Sequence, residues 1–413
     1  MNKNKVFIIV FSVIIFFAAA LYIILAFGKK TGQSVLLYNI PEPEAVKIEA
    51  ALAEKFMPKT DNSPLASLPF NFKKYNGAKP LADFLKQDST IFAVIAEDGR
   101  SVFESRYYFN VINAENYNKL PSTFLHNVFM PDEDNTQPYT YPVLLNTFAF
   151  VYDTDIFKNL QINTPETIEG WTSAFMKCKE SVSYPLVCSG ADDKTLLFLI
   201  SAIMNFVVPN ADREKLAQFI QSEEENRVIP SGLKQVLDIL IDWRQKGLLH
   251  PEWFRLVDRD VEIFMEFKNA AVGFMSLQQY RKIKKEVTDK FTAAAIPVSN
   301  KMQYKNLAAN VFVFATINGK SVNKNLSDEF FDFITSNDGQ ALLSRVTGLA
   351  PVNSQATAYD SQASDARYWA ASSNMVVPDF TETLKGITPE QKTSFIKKIR
   401  LYLEVNGVGF TEE

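Results

Sequence analysis

The chain has 413 residues, a net charge of -4, 47% hydrophobic residues and 34 Phe. That length suits two cores of ordinary domain size, and the apolar content excludes a disordered chain. The charge offers no basic face for nucleic acid, and two His, His126 and His250, argue against a multi-histidine metal site.

Lys3 and Lys5 precede an uncharged run, "VFIIVFSVIIFFAAALYIILAFG", which Lys29 and Lys30 follow. At about 1.5 Å per residue this run can cross a ~30 Å hydrocarbon layer. A cleaved signal has a shorter apolar region and a small-residue cleavage site, whereas the "AAA" here lies inside the run. No Cys follows the run to carry a lipid. We expect an uncleaved signal anchor over residues 1–30, with a cleaved signal as the alternative. In both cases the body of the chain is exported.

A short strand is expected in "VLLY", then a helix in "PEPEAVKIEAALAEKF", where Ala45, Ile48, Leu52 and Phe56 recur at spacings of three and four. A polar, Pro-containing stretch runs to about Lys79. "PLADFLKQ" reads as a short helix and "IFAVIA" as a buried strand. Strand, helix, strand in this order predicts a parallel sheet. Residues 143–152 suit a long apolar strand. A helix then starts with Thr164 as cap and Pro165 first, and it places Ile168, Trp171, Phe175 and Cys178 on one face. Cys178 and Cys188 either close a small loop or stay as two buried thiols. Residues 190–267 are expected to be mostly helical, with Gly247 stopping one helix. Strands follow in 271–277, "FTAAAIPV" and "LAANVFVFATI". Two helices close this run, with Ser327 as cap candidate and Gly348 as the stop before Pro351.

Phosphate-binding, dinucleotide-binding and nucleophile-elbow motifs are missing from the sequence, as is any zinc-type Cys spacing. His250, in "GLLHPEW", reads as structural. "KKIRLYLE" and "RKIKKE" read as solvated helix faces. No catalytic residue, metal or cofactor is assigned, and the chain is not expected to be an enzyme.

Four segments, in order, resemble the extracellular solute-binding proteins of ABC importers, the family (family 1) that includes the maltose-binding protein. "VLLYNIPEPEAVKIEAALAEKF" is similar to the family's first strand, ligand loop and helix. "YPVLLNTFAFVYDTDIFKNLQINTPETIEGWTSAF" resembles its stretch crossing between lobes, with Tyr152-Asp153-Thr154-Asp155 as the turn. "FKNAAVGFMS" resembles its Gly-Lys-Ala-Ala-Met strand, with departures over residues 268–272. "EFFDFITSNDGQALLSRVTGLAPVNSQA" is similar to its late helix pair ending in Gly-x-x-Pro-Val.

The resemblance implies an α/β, two-lobed periplasmic-binding-protein fold behind an N-terminal transmembrane helix. Its discontinuous lobes would be residues 33–145 plus 271–310 and residues 146–270 plus 311–413. Hinge strands would cross at 141–146 and 308–314. It implies a monomer held in the cell membrane with its body outside, which closes on a small polar solute and presents it to an ABC permease. A carbohydrate is the leading solute class, and an exported sensor or interaction domain is the alternative. The family's ligand positions fall here on Glu42 beside Pro41, Glu97 and Asp98 with Arg100 nearby, Asn146, Gln278 or Tyr280, and Trp369. Gln278 stands where many members carry a stacking Trp.

Overall fold

A computed structural model describes residues 32–57, 68–97, 99–124, 139–207, 213–222, 228–295, 306–319, 322–373, 375–384 and 386–406. The expected membrane span, Asp98 and His126 lie outside these residues. Among the described residues no helix is long and apolar enough to cross a membrane.

The strands are β1 (Gln33–Tyr38), β2 (Phe70–Tyr75), β3 (Ile91–Ala96), β4 (Tyr141–Asp153), β5 (Tyr184–Cys188), β6 (Ala270–Ser276), β7 (Phe291–Ala295), β8 (Asn306–Thr316), β9 (Ala350–Pro351) and β10 (Met375–Val377). They form one curled sheet in the order β2-β1-β3-β8-β4-β6-β5, with β10 on β8 and β7 and β9 on β4. As expected, β1 is parallel to β3, with helices between them in the chain. β2 was not expected. It lies in the polar stretch, pairs parallel with β1 and leaves most of its side chains part-exposed, so it lacks a buried apolar run.

Two long strands tie the sheet together. The first half of β4 pairs with β8, and its second half pairs with β6 and β7. β8 pairs with β10 at its start and with β3 at its end. The strands that pair to both sides therefore occupy Tyr141–Asp153 and Asn306–Thr316. At Pro142, which has no N–H to give the ladder, the β4–β8 register shifts.

Two apolar cores flank these strands. In the first, Phe330 meets Phe56, Phe70, Phe92 and Phe314 with ring centroids 5.2–5.8 Å apart. In the second, Phe148 stacks on Phe198 at 4.0 Å, and Phe150, Trp171, Phe175 and Trp243 continue the cluster. Two features bear on the expected division of the chain. Residues 271–295, expected with the first lobe, pair through β6 and β7 with the second half of β4. Helix Lys324–Thr335, expected with the second lobe, brings Phe330 into the first core.

Helix caps also differ. Thr167, not Thr164, caps helix Ile168–Cys178 by accepting from the Gly170 N–H, while the Thr164 hydroxyl bonds that of Tyr152 at 2.7 Å. Asn323, not Ser327, caps helix Lys324–Thr335, and Ser327 is buried within it. Gly348 ends helix Asn337–Thr347 at φ 74°, where an added Cβ would meet the Arg281 side chain at 2.8 Å. Cys178 and Cys188 are free and buried, so the loop-closing disulfide is not formed. Burial pushes the Cys178 thiol up to about 11 and Cys188 further.

Candidate functional site

Polar side chains from the middle of β4 and β8 and from just beyond β3 and β6 line up across the sheet. Glu97 follows β3, and its side chain is 3% exposed. It accepts from Asn310 Nδ2, on β8, at 3.3 Å. Asn310 lies opposite Asn146 in the β4–β8 register. Asn146 in turn holds Gln278: its Nδ2 donates to Gln278 Oε1 at 3.3 Å, and its Oδ1 accepts the Gln278 N–H at 3.0 Å. Four segments separated by up to 213 positions thus place a carboxylate and three amides in one row. A strand interior accepts such groups only when they are paired, and here they are.

The row opens at Glu97 and Asn310 into a cleft of about 380 Å³. Asn39, Glu97 and Arg100 wall it on one side. Asp193, Lys194, Asp379, Glu382 and Lys392 wall it on the other. Its charges are matched in place: Lys194 pairs with Glu97, Lys392 with Asp379 and Glu382, and Asp193 with Arg400. Burial works against the charge of Lys392, but Asp379 and Glu382 outweigh it and hold the ammonium above the usual lysine range.

The loop after β5 is fixed by close packing. A Cβ on Gly190 would meet Trp253 at 2.6 Å and the Phe254 backbone at 2.8 Å, and Arg400 donates to the carbonyls of Gly190 and Ala191. Next to it, Gln279 donates to Ser189, Thr195 and Asp258 at 2.7–3.0 Å. Asp258 also takes Lys282 at 2.8 Å. Burial opposes ionisation of Asp258, yet Lys282 and these donors hold the carboxyl below its usual range.

The sequence-predicted residues separate into groups. Glu97, Asn146 and Gln278 join in the polar row, and Arg100 stands beside Glu97 in the cleft wall. Tyr280 and Trp369 meet elsewhere, in a hollow of only about 10 Å³ with Thr147, Ala149, Val151 and Gln362. Side chains alternate along a strand, so this hollow faces the side of β4 opposite to Phe148 and Phe150. Tyr280 is buried, and its hydroxyl donates to the Thr288 carbonyl at 3.2 Å. Glu42 opens helix Glu42–Phe56, exposed, with Lys74 at 3.2 Å. Lys194, Asn310, Asp379, Glu382 and Lys392 escaped the sequence reading. Their signal, single polar residues in apolar or basic stretches, is no different from that of a solvated helix face. Among the described residues no group of His, Cys, Asp and Glu is arranged to hold a metal ion.

Solved structures share this fold at low identity. A putative binding protein MsmE from Bacillus subtilis, in an open conformation, superposes with a TM-score of 0.65 at 13% identity, covering 92% of this chain and 98% of that one. The bacterial solute receptor AcbH, reported to prefer β-D-galactopyranose exclusively, gives 0.65 at 13%, covering 90% and 94%. The solute-binding protein RafE, in complex with raffinose, gives 0.62 at 14%, covering 90% and 95%. No curated protein sequence matches the chain. A family model described as bacterial extracellular solute-binding protein matches residues 89–372. That span includes β3 to β9, both crossing strands and the whole polar row, and the chain belongs to this family.

Proposed function

We propose that the protein is the solute-binding component of an ABC importer and takes a small polar solute, a carbohydrate first, into the cleft beside Glu97. The observation that carries the reading is the row Glu97–Asn310–Asn146–Gln278, which ends in a cleft walled from both halves. Amides both donate to and accept from hydroxyls, and a carboxylate accepts from them. The cleft's cations and carboxylates already neutralise one another, which suits an uncharged polyol better than an ionic solute. Its volume lies in the ~300–1,000 Å³ range usual for small-molecule sites. The sugars named with AcbH and RafE give the first panel: galactose and raffinose.

In this reading Glu97, Asn146 and Gln278 form the base of the site and Asp98 adjoins it in the chain. Tyr280 and Trp369, on the other face of β4, stay outside this cleft, and Glu42 stands at the rim. The first lobe would comprise residues 33–140 and 317–373, and the second residues 154–295 and 378–406, with β4 and β8 shared. The body would be a monomer outside the cytoplasm, held by the apolar run of residues 6–28 and presented to a permease. N-terminal sequencing of the mature protein tests the anchor, because a start near residue 30 removes it.

A second reading, an exported sensor or interaction domain, is favoured by one contact: Lys194 already occupies the Glu97 carboxylate. Thermal unfolding against the sugar panel separates the two. A bound sugar at about 100 times its Kd adds about 2.7 kcal/mol of stability. Glu97→Gln should reduce that shift, since a hydrogen bond to a charged group contributes about 1.5–3 kcal/mol. No shift with any sugar would leave the sensor reading.

A further inference from the structure

Two contacts cross the cleft near the end of β3. Arg100 lies in helix Gly99–Glu104, and its side chain is 14% exposed. Its Nε donates to Glu104 within the same helix at 2.9 Å, which fixes the plane of the guanidinium. Its Nη1 then reaches the opposite wall and donates to the carbonyls of Leu384 at 2.6 Å and of Thr381 and Glu382 at 3.3 Å. The second contact runs the other way. Lys194, in helix Asp193–Val207, gives its ammonium to Glu97. Asn310, on β8, donates to the same Glu97 oxygen.

The two contacts share a property: each exists only while the halves are together. With a guanidinium as donor, the Arg100 bonds are charge-assisted. β4 and β8 pass from one half to the other and can serve as the axis about which the halves turn. Contacts made in one arrangement alone shift the equilibrium toward it, whatever else binds. The acceptors of Arg100 are backbone carbonyls, which no side-chain titration can remove. We infer that Arg100 and Lys194 form a latch that holds the two halves closed on their own, so that closure does not wait for solute. This goes beyond the proposed transport role and does not depend on which solute binds.

The full chain carrying Glu42→Cys and Glu390→Cys tests this. Both positions are exposed, and they adjoin Asn39 and Pro389 of the cleft lining. Cys178 and Cys188 are buried and take no label in the folded chain. Nitroxide labels and pulsed distance measurement are applied to protein refolded from denaturant, which removes any carried solute. The parent should show one short-distance population. Arg100→Gln with Lys194→Met should add a longer one, and Lys194→Met alone should add a smaller share of it. A parent dominated by the longer distance would overturn the latch, and so would variants with an unchanged distribution. Circular dichroism confirms that each variant folds. Should the double variant not fold, the part-exposed Lys194→Met decides alone. Since no sugar enters the measurement, its outcome is independent of the sugar-panel result.

Discussion

At the scale of single residues, the Asn146 amide is buried and paired. Asn146 is 1% exposed, and both ends of its side-chain amide are satisfied by Gln278. Asn146→Ala removes the acceptor of the Gln278 N–H and the donor to its Oε1. Leaving such groups unpaired costs about 1–3 kcal/mol, to be read from denaturant unfolding. A value near zero would mean that water replaces the amide. His250 gives a pH-dependent counterpart. Its Nδ1 accepts the Glu252 N–H at 3.1 Å, and Tyr184 and Phe264 flank the ring at 4.2 and 5.0 Å. Burial lowers its pKa, while Glu252 and Asp260 partly oppose this. A depressed folded pKa favours the neutral ring in the native state. Its stabilisation is complete above about pH 6.5, the unfolded value, and is lost as pH falls through the folded one. His250→Gln should therefore flatten the fall in melting temperature between pH 7 and pH 5. An unchanged slope would assign that fall to other groups.

At the scale of elements, apolar runs were legible and polar boundaries were not. β3 occupies the six residues of "IFAVIA", because a strand buried on both faces needs an unbroken apolar run. Helix Ile168–Cys178 buries the four residues that its spacing predicts. Its start was misplaced because Thr164 and Thr167 are equivalent cap candidates locally. Only the tertiary bond of Thr164 to Tyr152 decides between them. Helix Lys324–Thr335 shows the same limit. The helix itself was legible, but the core it enters was not, since that depends on where β8 ends. The packing of Phe330 against four Phe of the first core gives a direct check. Phe330→Ala should cost about 3–5 kcal/mol, the usual range for emptying a buried aromatic site. A loss under about 1 kcal/mol would mean that the site collapses around the gap. The candidate site was legible in part for the same reason. Glu97 follows a strand that the sequence marks and Asn146 lies within another, whereas Asn310 in β8 and Lys194 and Lys392 in helices are brought to them only by the return of the chain.

At the scale of the whole molecule, the two cores are separate in composition but not in backbone. Phe148, Trp171 and Trp243 belong to one, and Phe70, Phe92 and Phe330 to the other. Chains with two cores commonly unfold in steps. Here β4 lends its first half to one side and its second half to the other, and β8 does the same. Melting either half would strip pairing from a strand that continues into the other. Arg281 adds a further tie, with its Nε on the Gly348 carbonyl at 2.9 Å and its two terminal nitrogens on Asp360 at 2.6 and 2.8 Å. Shared strands and cross-links of this kind make partial unfolding expensive in hydrogen bonds, so scanning calorimetry should show a single transition. Phe330→Ala in one core and Trp171→Ala in the other should each move that transition as a whole. Two resolved peaks, with each variant shifting only one, would show instead that β4 and β8 bend without coupling the cores.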